Sequence, residues 1–350
     1  MKIRKLDIEN YETVVHATDE ETGLNAFIGV HDTTLGPALG GLRIWPYERE
    51  EDALTDVLRL SKGMSYKSAI AQTGLGGGKS VIVGDPKVVR NPKTLKAMGR
   101  FIDSLEGKYI TAEDVNTRVE DLMHVREGTK WVTGLPVEHG GSGNPSPYTG
   151  FGVYLGMITC LDEVTGSEDP MGKHVAFQGV GNVAQAVIER LLKGGASVTA
   201  CDINQERIAK VKEKFPAVNW VHPDNIYDVE CDIFAPHALG AIINDDTVDR
   251  LRCPIIAGAA NNQLAEVRHG DVLKEKGILY APDFVINAGG IINVGVEFHE
   301  GGYNEEVALK KIANIQNALK STFAMAKEDN TSTNRAAIAV AKKIIADARG

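Results

Sequence analysis

The pattern of apolar and polar positions changes character partway along the chain. Residues 24–32 and 39–46 read as short strands separated by Gly36 and Pro37. From Glu51 to Met64 the apolar residues Leu54, Val57, Leu58 and Met64 recur near helical spacing. Short apolar runs at 69–71 and 81–83 flank a cluster of glycines, and residues 90–105 read as a helix entered through Pro92. The stretch GGSGNPSP at 140–147 is dense in turn formers and has no apolar period, so a domain boundary is predicted there.

A different rhythm follows. Helices are predicted at 153–164, 183–192 and 205–215, interleaved with buried-strand runs at 175–178 and 198–201. Further short β runs stand at 231–235, 255–258 and 278–280. Strands alternating with helices imply parallel βαβ units and a doubly wound sheet. The tail reads as two helices, 305–327 and 334–348, joined by the polar turn 328–333. The expected organisation is a first domain over 1–147, completed by 330–350, and a Rossmann-type domain over 148–329.

Composition narrows the function classes. The 350 residues carry a net charge of −9 and an ordinary apolar fraction of 43%, so neither wholesale disorder nor a broad field favouring nucleic acid or an anionic membrane is expected. No uncharged apolar run reaches the ~18–20 residues of a membrane helix. The N-terminus lacks the apolar core of a signal peptide. The four cysteines (Cys160, Cys201, Cys231, Cys253) form no C-x-x-C pair, so neither a metal site nor a disulfide framework is expected, and a cytoplasmic setting is. Glycine is the outlier: 37 residues, more than one in ten, against roughly 7% on average.

Two groups of these glycines sit in chemically suggestive places. VAFQGVGNVA at 175–184 is G-x-G-x-x-A (Gly179, Gly181, Ala184) between a strand and a helix, with Asn182 and Val183 opening that helix. The first glycine permits a tight turn, the second lets backbone approach a pyrophosphate, and the small third residue lets helix and strand pack. The next strand ends in Asp202, 23 residues after Gly179, where an acidic residue would accept from the adenosine ribose hydroxyls. A carboxylate there repels a 2′-phosphate, and Ile203 and Asn204 supply no arginine to receive one, so NAD is expected over NADP. The alternative is a solvated aspartate at a strand end.

The second group accompanies lysines: LGGLR at 39–43, KGMSYK at 62–67, GLGGGKS at 74–80, and TAEDVN at 111–116. GLGGGKS is not a P-loop, because that motif needs glycine at position 73, which is Thr73. A glycine-packed lysine can instead serve acid–base chemistry. Lysine in water titrates near 10.4, and burial or a second cation lowers it. Lys67 and Lys79 could form such a pair if the chain between them folds back. Either lysine could also be a solvated surface charge, and Asp114 could be a plain helix N-cap.

At this point the chain resembles the glutamate/leucine/phenylalanine/valine dehydrogenase family, most closely its leucine branch. The matching stretches run from end to end: GPALGGLRIWPY, LSKGMSYKSA, GLGGGKSVIVGDP, YITAEDVNT, GGSGNPSPYTGFGVYLGM, VAFQGVGNVA, FAPHALGAIIND, IIAGAANNQL and APDFVINAGGIINV. The resemblance implies an α/β substrate domain with a mixed sheet beside the Rossmann domain, a homo-oligomer, and NAD-linked conversion of an L-amino acid to a 2-oxo acid and ammonia. It implies that Lys67 binds the substrate carboxylate, that Lys79 activates water, and that Asp114 exchanges protons with ammonia. Thr149, Ala260 and Asn261 are expected near the nicotinamide end of the cofactor. Relatives acting on glutamate carry a lysine directly before GGLR, where this chain has Leu39. The expected substrate pocket is apolar (Leu39, Met64, Ala112, Ile291, Val294, with Gly40 beside them), which suits a branched aliphatic side chain. His237 and Gly150 depart from the family pattern, so an aromatic substrate stays open. A glutamate enzyme and a catalytically silent NAD-binding regulator are the competing readings.

Overall fold

The computed structural model describes residues 1–298 and 301–350, in two compact units. The first comprises Met1–Asn144, Val294–Glu305 and Ala341–Gly350; the second comprises Pro145–Asn293 and Glu306–Val340.

The first unit is built on a mixed six-stranded sheet. Its strands are β1 (Lys2–Leu6), β2 (Thr13–Asp19), β3 (Leu24–Asp32), β4 (Ala38–Trp45), β5 (Gly76–Val83) and β6 (Tyr109–Glu113), in the order β1-β2-β3-β5-β4-β6. The β1/β2, β2/β3 and β3/β5 pairs are antiparallel; β4 is parallel to both β5 and β6. The helices are α1 (Glu50–Ile70), α2 (Pro86–Val89), α3 (Pro92–Asp103) and α4 (Val119–Arg126). Helix α3 starts where its sequence dictates: Asn91 accepts from the amide of Thr94 at 3.1 Å, with Pro92 at the first helical position.

Helix α1 runs six residues past the helical pattern read from sequence, taking in Ala69 and Ile70 of the apolar run, with Ala71 as its C-cap. Its sheet-facing side is Ser61, Ser65, Ser68 and Ala69, all buried, and small enough to lie directly on β5. The glycines opposite complete that contact. A Cβ on Gly77 would overlap the backbone and hydroxyl of Ser65, and one on Gly29 would stand 3.2 Å from Ser61 Oγ. The glycine cluster is therefore not a loop: Gly76–Gly78 are strand, and only Gly74 before them takes a positive φ, +75°. Gly77→Ala is expected to destabilise this unit by about 3 kcal/mol, at the upper end of overpacking costs. A urea midpoint unchanged from wild type would refute that packing role.

Residues 294–305 join this unit through Glu297. Its carboxylate accepts from the Thr133 hydroxyl (2.6 Å) and from the amides of Ser142 (2.7 Å) and Gly134 (3.2 Å). The chain's end is fastened by Arg349, which pairs with the buried Asp32 and reaches Thr34. The tail therefore contributes its last ten residues here rather than everything from 330, because the first half of its final helix, Thr333–Arg349, packs with the second unit.

The second unit is a six-stranded, all-parallel sheet. Its strands are β7 (His174–Gln178), β8 (Ser197–Cys201), β9 (Asn219–Trp220), β10 (Ile233–Pro236), β11 (Ile255–Ile256) and β12 (Leu279–Tyr280). Their order, β12-β11-β10-β7-β8-β9, is the Rossmann order, with the topological switch between β7 and β10. Helices α5 (Ser146–Thr165), α6 (Asn182–Lys193) and α7 (Gln205–Lys214) cover it. Gly150, a departure from family pattern, has a packing explanation: a Cβ there would stand 2.6 Å from that of Ala186, so its absence lets α5 and α6 approach. The four cysteines are buried free thiols. Among the described residues no helix is long and apolar enough to cross a membrane.

Candidate functional site

Strand alternation assembles the first part of the site. In register, Leu39 lies opposite Gly77 of β5 and Ile110 of β6, and Gly41 lies opposite Ala112. Counting in twos from these pairs, Leu39, Gly41 and Arg43 on β4, Gly77 and Lys79 on β5, and Ala112 with the following Asp114 share the face that carries α1. Gly41 makes room for Asp114, whose Cβ would lie 2.6 Å from a Cβ on that glycine.

Lys79 is 5% exposed and its ammonium pairs with Asp114. The same Asp114 oxygen accepts from Arg43 Nε at 3.3 Å. Arg43 Nη1 in turn donates to Asp56 of α1 at 2.6 Å, where the Tyr47 hydroxyl also donates at 2.6 Å and Arg59 at 3.1 Å. Burial pushes the Lys79 pKa below its ordinary value; Asp114 opposes the shift and Arg43 adds to it. Burial alone would raise the Asp114 carboxyl, but Lys79, then Arg43, outweigh it and hold the pKa low. A cation set against Lys79 is thus Arg43, a role the sequence reading had offered to Lys67. Lys67 sits in the last turn of α1, one helical turn beyond Met64, and both are half-buried.

Asp114 is not a helix cap. It follows β6 directly, its amide donates to the Thr117 hydroxyl oxygen at 2.8 Å, and α4 begins later, after Arg118. Gly40 points to the opposite face from Lys79. Its missing Cβ leaves space for the Gly78 carbonyl, and its own carbonyl accepts from the buried Tyr109 hydroxyl at 2.6 Å. Leu39 is fully buried, Ala112 half-buried, and Val294 is held by the Thr133 hydroxyl donating to its carbonyl at 3.2 Å. Ile291 belongs to the second unit, where it is 9% exposed.

At its topological switch the second unit places the glycine turn of the G-x-G-x-x-A run. Gly179 follows β7 with φ +96°, a conformation that disfavours any side chain, and a Cβ there would stand 2.7 Å from that of Ala238 after β10. Gly181 is the N-cap of α6; a Cβ there would meet nothing within 4 Å, so the space over the helix start is open. The first amides of α6, from Asn182 and Val183, have no intrahelical partners and suit phosphate oxygens. These residues fit a dinucleotide.

Asp202 ends β8 and is 7% exposed. Its oxygens accept from the amides of Val180 (3.0 Å) and Asn204 (2.9 Å), and Arg207 Nη1 reaches both, at 3.2 and 3.0 Å. Burial alone would raise its pKa; the two amides, then Arg207, bring it below the ordinary value. Ile203 and Asn204 supply no arginine, but Arg207, five residues on in the first turn of α7, does reach this carboxylate. Thr149 Oγ1, in the first turn of α5, donates to Pro145 O at 3.1 Å and lies where a Cβ on Gly290 would come within 2.7 Å. The Ala260 amide donates to Pro236 O at 2.9 Å, and Asn261 Oδ1 accepts from Asn287 at 2.7 Å. His237 packs against Phe177; one ring nitrogen lies 3.2 Å from Ala235 O and the other has no partner among the described residues, and burial pushes its pKa down to about 4. It is a half-buried histidine, uncharged at neutral pH, with one ring nitrogen within bonding distance of a carbonyl. No group of three or more potential metal ligands occurs among the described residues.

Comparison with known proteins gives a consistent picture. The Glu/Leu/Phe/Val dehydrogenase dimerisation-domain model matches residues 9–131, and the Glutamate/Leucine/Phenylalanine/Valine dehydrogenase model matches 140–350. The chain is 52% identical over 336 residues to leucine dehydrogenase of Thermoactinomyces intermedius, covering 96% of this chain and 91% of that one. It is 52% identical over 340 residues to leucine dehydrogenase of Geobacillus stearothermophilus, covering 97% and 92%. Among solved structures, L-tryptophan dehydrogenase from Nostoc punctiforme superposes with a TM-score of 0.87 at 42% identity, covering 97% of each chain.

Proposed function

Because the chain belongs to the glutamate/leucine/phenylalanine/valine dehydrogenase family, we infer that it is an NAD-dependent L-amino-acid dehydrogenase preferring branched aliphatic substrates, leucine first. It converts the amino acid reversibly to a 2-oxo acid and ammonia. The observation that carries the reading is the buried Lys79–Asp114 pair, a combination a mere cofactor-binding regulator has no use for.

The cofactor, held by Gly179, Gly181, Asn182, Val183 and Asp202 with Thr149, Ala260 and Asn261 at its nicotinamide end, supplies the hydride acceptor when bound. The remaining steps belong to this chain. Lys67 holds the substrate carboxylate. Lys79, neutral in a larger fraction of molecules than a solvated lysine, takes the proton of the water that adds to the imino carbon. Asp114, beside it, passes a proton to the departing amine. NAD is favoured because Asp202, ionised well below neutrality, repels a 2′-phosphate. The dimerisation domain named in the family model supports a homo-oligomer, and the four free thiols support a reducing, cytoplasmic setting.

Leucine is favoured over glutamate by Leu39, which is 1% exposed on the face that carries Lys79. A substrate carboxylate facing it would lose hydration without a partner. Leu39→Lys is expected to lower kcat/KM for leucine at least ~100-fold and to raise the glutamate-to-leucine ratio. An unchanged ratio would remove Leu39 from the specificity argument. The likeness to a tryptophan dehydrogenase supports a second reading, with an aromatic substrate. A panel of leucine, valine, phenylalanine, tryptophan and glutamate at equal concentration decides between them. Leucine should give the highest kcat/KM, and a higher value for any aromatic would replace the first reading by the second.

A further inference from the structure

We propose that Arg43, anchored by Asp56, is a positioning residue of the reaction: it fixes the Asp114 carboxylate against the Lys79 ammonium and sets the charge balance around that pair. The proposal rests on the assignment of Lys79 as the base.

The geometry is specific. Arg43 spends two different nitrogens on two different carboxylates, Nε on Asp114 at 3.3 Å and Nη1 on Asp56 at 2.6 Å. A planar guanidinium held at one end has its other nitrogens aimed. Asp56 is itself fixed by the Tyr47 hydroxyl at 2.6 Å and by Arg59 at 3.1 Å, so the anchor is rigid. The Arg43 and Asp56 side chains are 20% and 15% exposed, so solvent screens their charges only partly. Among the described residues, three elements present the charged groups that act on Lys79: β4 gives Arg43, α1 gives Asp56, and the end of β6 gives Asp114 next to the exposed Glu113. On the fourth side β3 sets the uncharged Gly29 opposite.

These charges act on Lys79 in opposite senses. Arg43 favours loss of its proton and Asp56 favours retention. Removing one or the other should therefore move the site in opposite directions, which packing defects do not do. The test is the pH profile of kcat, which reports groups in the substrate complex rather than the free amino acid. With Arg43→Gln, Lys79 should keep its proton to higher pH and the acid limb should move up by about half a unit to one unit. With Asp56→Asn, the limb should move down. Arg43→Lys keeps the charge but not the two-nitrogen bridge, so its limb should stay at the wild-type position while kcat falls ~10-fold or more.

If Arg43→Gln does not fold, Asp56→Asn and Arg43→Lys carry the test. Limbs that all coincide with wild type, or shifts in the same direction for Arg43→Gln and Asp56→Asn, overturn the proposal. Lys79→Ala run alongside separates the two levels. If it is inactive and the other limbs do not move, only the role of Arg43 falls; if it keeps wild-type turnover, the base assignment falls and this proposal with it.

Discussion

Replacing Lys79 by alanine is expected to lower kcat by about a thousandfold while leaving NAD affinity at its wild-type value. General-base catalysis contributes roughly 10²–10⁴-fold, and Lys79 is the lysine paired with Asp114. The fold should survive the change. Asp114 keeps Arg43 as a partner, so the substitution does not strand a buried carboxylate. The cofactor cradle lies in the other unit, around Gly179 and Asp202, and should be indifferent. In the intact enzyme the same residue sets the sign of the pH dependence. Burial holds the Lys79 pKa below its ordinary value, so turnover should rise with pH and level off below the ~10.4 of a free lysine. Wild-type-like turnover in the alanine variant would remove Lys79 from the chemistry.

The second large effect is expected at Asp202. Replacing it by alanine should change the NAD-to-NADP ratio of kcat/KM by about a hundredfold in favour of NADP, equivalent to ~3 kcal/mol. Two contributions add. The variant loses a charged acceptor for the ribose hydroxyls, and Arg207, which now spends Nη1 on both Asp202 oxygens, is released towards a 2′-phosphate. The double variant Asp202→Ala with Arg207→Ala should lose the NADP gain while still binding NAD poorly. Calorimetric titration with ADP-ribose and its 2′-phosphate reads the same preference without turnover. An unchanged ratio in the single variant would refute the ribose role of Asp202.

Much of this was legible in the residues. The second unit could be read almost strand by strand, because parallel strands buried on both faces appear as short continuous apolar runs. The turn at Gly179 was legible because its chemistry is local: a positive φ and a close neighbour require glycine. The first unit was harder. Strand β1, KIRKL, is almost wholly exposed at a sheet edge and carries no apolar signal. The end of α1 was hidden because its buried face is serine and alanine, which no hydrophobic period reveals. The glycines at 76–78 show in the sequence only as a bare cluster before Lys79; they are a strand whose bareness lets α1 settle on the sheet. Arg43, Asp56 and Arg207 carried no local signature. Their roles depend on register and on neighbours 13 to 71 positions away for Arg43, and on one turn of helix for Arg207. Alternation along β4, from Leu39 through Gly41 to Arg43, was the one clue that could have placed Arg43 beside Lys79.

The most direct test of the central claim is to incubate the protein with L-leucine and NAD⁺ at mildly alkaline pH and quantify all three products together. The expected result is NADH, ammonia and the 2-oxo acid in equal amounts, all lost in Lys79→Ala. Failure to form NADH with leucine or with any other L-amino acid would contradict it.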